Sequence, residues 1–216
     1  TEAHERMDGS LPTIEVKDAD ELRAILGPVD PVPRDKVRRE LHALDREWLA
    51  NSPFCLLATA AAGGGCDVSP KGDPAGFVKV LDDRTLAFPE RPGNRRADGF
   101  HNILSNPHVG LIFLIPGRGD TLRINGRARI VREAPWFDAL VVQGHRPKLG
   151  LLIEIEEVFY HCSKAFLRSD LWQPTTWAPE RLPSRAEISK ALERRDQPLC
   201  DLEHYYGPAY AKKLYG

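Results

Sequence analysis

The chain has 216 residues, 42% hydrophobic and 28% charged, which is the composition of a folded globular protein rather than a fibrous or disordered one. Thirty Lys and Arg against 31 Asp and Glu leave a net charge of -1, so no general positive field attracts nucleic acid or an acidic membrane surface. The longest apolar runs, at 54–58 and 109–115, fall well short of the ~20 residues of a membrane-spanning helix, and the charged start carries no secretory pattern, making the cytoplasm the expected location.

Residues 1–33 are polar and end in Gly27-Pro28-Val29-Asp30-Pro31-Val32-Pro33. A short helix over 20–26 followed by an extended link is expected, and the segment reads as an N-terminal arm. Over 35–50, Val37, Leu41, Leu44 and Trp48 recur at spacings of four, three and four, which places them on one face of a docking helix. Strand signals follow at 54–60, 66–69, 76–81 and 84–88, broken by Gly63-Gly64-Gly65, Gly72-Asp73-Pro74 and Asp82-Asp83. A helix is expected over 95–104, with Phe100, Ile103 and Leu104 as its buried side and Ser105-Asn106-Pro107 as its stop.

The segments 109–115 and 121–132, joined by a tight turn at Pro116-Gly117-Arg118-Gly119, resume the sheet. In the second of them Leu122, Ile124, Ala128 and Ile130 alternate with Arg123, Asn125, Arg127 and Arg129, the period of a half-buried strand. A short helix near 136–142 and a long strand over 149–160 come next. After a surface loop at 173–183, Ser184-Arg185-Ala186-Glu187 has capping-box spacing and starts a last helix. The aromatic end, with Tyr205, Tyr206, Tyr210 and Tyr215, is expected to pack on the body or on a partner subunit. Short successive antiparallel strands give a mainly β fold, a barrel or sandwich with peripheral helices. The expected division is an arm at 1–33, a main domain at 34–172 and a C-terminal extension at 173–216.

Cys55, Cys66, Cys162 and Cys200 form no CxxC pair, and adjacent His161 and Cys162 point to opposite faces of an extended strand, so no metal site is expected. The block Phe88-Pro89-Glu90-Arg91-Pro92-Gly93-Asn94-Arg95-Arg96 combines a strand end, a glycine-containing loop and paired arginines opening a helix, the parts a phosphate site needs. A solvated basic turn with Asn94 capping the helix explains the same residues, and both readings stay open. In Ser69-Pro70-Lys71-Gly72-Asp73 a cation, a hydroxyl and a glycine lie together, suited either to ligand contact or to a plain turn.

These two blocks, with the Asn106-Pro107 helix end, Val109-Gly110-Leu111-Ile112-Phe113 and Leu122-Arg123-Ile124-Asn125-Gly126-Arg127-Ala128, resemble the FMN-binding split β-barrels of the pyridoxamine 5′-phosphate oxidase superfamily, from about 54 to 130. His161-Cys162-Ser163-Lys164, Arg168 and Leu171-Trp172 extend the similarity toward a bacterial subgroup of oxidase-related flavoproteins. The resemblance implies a homodimer with FMN in clefts between subunits. Arg95 and Arg96 would hold the phosphate beside Asn94, with Ser69 and Lys71 in flavin contact. Pro89 and Glu90 would line the ribityl chain, Val78 and Lys79 the ring edge, Thr121 would hydrogen-bond near the flavin, and Trp172 would cover it from the second subunit.

The function so implied is FMN-dependent oxidation or reduction of a small molecule, with chemistry carried by the cofactor. Pyridoxine phosphate oxidase activity itself is not assigned, because Lys164-Ala165-Phe166-Leu167-Arg168 stands where classical members carry an Arg-x-His element. The alternatives are a non-catalytic or redox-sensing flavin binder, or a split barrel that carries deazaflavin or haem.

Overall fold

This computed structural model describes residues 13–31 and 35–215, so 1–12 and 32–33 of the expected arm and position 34 of the expected main domain lie outside them. The chain divides into two units at Lys36 and Val37. In the first, α1 (Ala19–Leu26) starts where the Asp18 side chain accepts from the Glu21 N–H and stops at Gly27, whose φ of 78° ends the helix. No residue of α1 is buried.

In the second unit α2 spans Ala43–Asn51, shorter than the expected helix over 35–50. Arg38 is drawn instead into a two-way backbone bridge with Val158, and Asp45 closes a capping box on His42 that fixes the helix start. Leu41 and Trp48 are buried as expected, but Val37 and Leu44 are exposed, since the face drawn through all four needed a continuous helix.

Seven strands follow: β1 (Phe54–Ala60), β2 (Cys66–Gly72), β3 (Lys79–Val80), β4 (Thr85–Pro89), β5 (His108–Leu114), β6 (Thr121–Val131) and β7 (Gly150–His161). Their order is β2-β1-β5-β6-β7-β4-β3, every neighbouring pair antiparallel. The expected strand at 76–81 shrinks to β3, because Gly76 has φ 78° and Phe77 and Val78 turn inward as core. Alternation in β1, β5 and β6 sends Leu57, Leu111, Phe113, Leu122 and Ile124 into a cluster shared with Leu86 and Phe88 of β4 and Ile153 of β7. The sheet is wrapped around one core without closing, and this is a split β-barrel.

Helix α3 (Asp98–Ser105) covers the barrel with Phe100 and Ile103, while Leu104 faces solvent rather than the core. In β6 and β7 the register shifts between Asn125 and Gly126, leaving Glu156 as an unmatched residue. A 3₁₀ segment (Pro135–Leu140) buries Phe137 and Leu140. The C-terminal region holds α4 (Lys164–Arg168), α5 (Arg185–Leu192) and α6 (Leu199–Tyr205), and the Ser184–Glu187 capping box forms as its spacing implies. Among the described residues no helix is long and apolar enough to cross a membrane.

Candidate functional site

The end of β2 faces the segment that follows β4, across the split in the barrel. Lys71 Nζ lies 2.7 Å from Glu90 Oε2, and Arg91 Nε donates to Asp73 Oδ2 at 2.5 Å. Between these segments opens a cavity of about 630 Å³, inside the size range of small-molecule sites. Ser69, Lys71 and Asp73 form one wall and Glu90 and Asn94 the other, with Pro70, Phe77 and Pro89 supplying apolar surface and Leu214 and Tyr215 at one side.

Charges here are largely paired within the chain. Asp73 is 1% exposed at its side chain, and Arg91 also donates to the carbonyls of Leu140 (2.7 Å) and His145 (3.4 Å). Arg91 is therefore committed to holding the split together. Tyr215 donates to Asp73 Oδ1 at 2.5 Å, and this hydrogen bond, with burial and the carboxylate charge, raises the phenol's pKa above its ordinary value. Cys55 lies opposite Lys71 in the β1–β2 register; burial pushes its thiol up to about 12, which removes it as a nucleophile.

The expected helix start at the paired arginines is not formed. Arg95 and Ala97 adopt left-handed backbone, φ 62° and 56°, which delays α3 to Asp98. Asn94 caps no helix; its Oδ1 accepts from the Arg96 N–H at 3.0 Å in a local turn. Arg96 pairs with Asp98 at 2.8 Å on the surface, and among the described residues no ion pair engages Arg95.

Of the candidates from the sequence, Ser69, Lys71, Pro89, Glu90 and Asn94 line this cavity, and Arg95 and Arg96 follow directly on its loop. Val78, Lys79, Thr121 and Trp172 do not line it. Val78 and Thr121 are buried, Lys79 Nζ donates to the Gly76 carbonyl at 2.8 Å, and the Trp172 indole N–H donates to the Arg118 carbonyl at 2.7 Å. Near Trp172's partner lies a second cavity of about 600 Å³, bounded by Trp48, Ile115, Arg118, Asp120 and Tyr160. His161 ends β7 opposite Thr121, and Cys162 is exposed beyond it. The sequence reading passed over Asp73, Arg91 and Tyr215 as site residues; the first two stood in the quoted motifs, but nothing in their spacing signalled that they pair.

The sequence model described as pyridoxamine 5′-phosphate oxidase matches residues 41–162, more than half of the chain. With its split barrel, this chain belongs to the pyridoxamine 5′-phosphate oxidase family. Among solved structures it is similar to HupZ of Group A Streptococcus, with 22% identity, TM-score 0.46, and 56% of this chain and 93% of that one covered. A pyridoxine phosphate oxidase family protein related to general stress protein 26, from Clostridium acetobutylicum, matches at 15% identity and TM-score 0.39 over 55% of this chain and 85% of that one. An FAD-binding protein of Mesorhizobium loti matches at 19% identity and TM-score 0.38, over 57% and 96%. No curated protein matches the sequence.

Proposed function

We propose that this protein is a flavin-dependent oxidoreductase that binds FMN in the cleft between β2 and the 89–96 loop and acts on a small molecule. The observation that carries the reading is the convergence of Ser69, Lys71 and Asn94 on one cavity whose loop continues into Arg95 and Arg96. Family membership supports the choice of a flavin.

The donor set fits a phosphorylated cofactor. A phosphate near neutral pH carries between one and two negative charges and takes charge-assisted hydrogen bonds. Lys71 and Arg96 are balanced by Glu90 and Asp98, so Arg95 contributes the uncompensated positive charge of the loop. Pro70, Phe77 and Pro89 offer apolar surface to a flat ring or a chain lying along the cleft. Once bound, a flavin supplies hydride or electron transfer, and the protein's part is to hold, orient and shield it.

Replacing Arg95 and Arg96 together by Ala tests this. Hydrogen bonds to charged groups contribute about 1.5 to 3 kcal/mol each, so FMN affinity should fall by at least about a hundredfold. Ala takes the left-handed backbone at 95 with the same strain as Arg, so the change there isolates the charge, while the change at 96 also releases Asp98 from its ion pair. Riboflavin, without the phosphate, should lose far less. Calorimetric titration with both ligands reads the result, and unchanged FMN affinity or equal losses would reject the phosphate site.

A further inference from the structure

At one side of the cavity a ring from the chain's own C-terminal region is bound against the wall. Tyr215 donates its hydroxyl to Asp73 Oδ1 at 2.5 Å. Its ring lies nearly parallel to the His145 imidazole, centroids 5.5 Å apart at 20°, and the Arg91 guanidinium carbon sits 5.6 Å from the same ring. An electron-rich ring against a cation, with a hydroxyl on a carboxylate, is a complete recognition set for a phenol.

The approach to this contact is otherwise solvent-facing. Tyr210 and Leu214 are 50% and 57% exposed, and Ala209 and Ala211 are exposed as well; Leu214 lines the cavity beside Tyr215, and the polar contact with its wall is made by the Tyr215 hydroxyl. The subsite does not depend on Tyr215 for its charge balance. Arg91 keeps Asp73 Oδ2 and the carbonyls of Leu140 and His145 whether or not the phenol is present. Withdrawal of Tyr215 uncovers one carboxylate oxygen and a flat cationic surface and leaves no buried charge without its counter-ion.

We propose that Asp73, Arg91 and His145 form a subsite for a hydroxylated aromatic ring, which Tyr215 fills as an intramolecular competitor of such ligands. The subsite opens into the cavity assigned above to flavin, yet its geometry stands whether or not a flavin binds there.

The test is titration of p-cresol into the full chain and its Tyr215→Ala variant, followed by amide shifts at Asp73, Arg91 and His145. Tyr215→Ala should bind p-cresol at least tenfold more tightly than the parent, with toluene, which lacks the hydroxyl, gaining little. Tyr215→Phe, which keeps the ring and loses the hydrogen bond, should fall between the two, and melting curves confirm that all three are folded. Equal or undetectable p-cresol binding in parent and Tyr215→Ala, or an equal gain for toluene, would overturn the proposal. FMN titration of the same samples is read separately: lack of FMN binding removes the flavin reading, while the p-cresol difference alone decides the subsite.

Discussion

Asp45 has no solvent exposure and yet carries a charge. Burial works against its ionised form, but the two-pronged pair with Arg38, one arm at 3.0 Å, and the His42 N–H at 2.7 Å outweigh it and hold its pKa below the ordinary carboxylate value. Because Arg38 also bridges Val158 through its backbone, this carboxylate ties the start of α2 to β7. Asp45→Asn leaves Arg38 without its counter-ion, but its guanidinium is 36% exposed and can be hydrated, so the cost at pH 7 should be about 1 to 2 kcal/mol. A folded-state pKa below the unfolded value means the contribution is present above about pH 4 and fades as pH falls through the folded pKa. Urea unfolding of both proteins at pH 7 and in acid should therefore show a gap that narrows on acidification, and a constant gap would assign the effect to packing. None of this was legible beforehand: Asp45 was not among Val37, Leu41, Leu44 and Trp48, the residues of the expected buried face, and its burial goes with the capping box that starts the shortened helix.

Strand alternation was the readable signal at the level of elements, since Leu122, Ile124 and Ala128 point inward just as their period requires. Helix α3 was misjudged at its start because two residues with ordinary helical propensity, Arg95 and Ala97, take left-handed backbone that composition does not reveal. The pairing of Tyr215 with Asp73 spans 142 positions, beyond any local pattern. The β6–β7 pair, the longest in the sheet, depends on another position that alternation leaves unmarked: a Cβ at Gly126 would sit 2.1 Å from the Glu154 carbonyl oxygen, where the register shifts. Backbone sits on both sides of that contact, so nothing flexible yields. Gly126→Ala should destabilise by about 3 kcal/mol or more through forced separation of the strands. Thermal unfolding measures it, and a variant melting within a few degrees of the parent would show that the bulge relaxes.

For the whole molecule, the candidate residues divide into two groups within one chain. Ser69, Lys71, Pro89, Glu90 and Asn94 line the first cavity, whereas the Trp172 indole is bound to the Arg118 carbonyl, beside the second. We propose that both groups serve one flavin, with Trp172 reaching it from a second copy of the chain in a homodimer, where the two clefts repeat by symmetry. This arrangement makes a prediction that a site within one chain does not. The Arg95→Ala/Arg96→Ala protein and a Trp172→Ala protein should each bind FMN weakly at every site. Unfolded and refolded together, they form mixed dimers in which one cleft has lost both contributions and the other has all its native residues. Equal mixing puts half the dimers in the mixed form, so about a quarter of all clefts should regain parental affinity. Titration of flavin fluorescence against the mixture would show that tight fraction, and sedimentation would show the dimer. If no tight fraction returns although dimers have exchanged, or if a stable monomer binds FMN with full affinity, Trp172 and the phosphate loop do not meet across subunits.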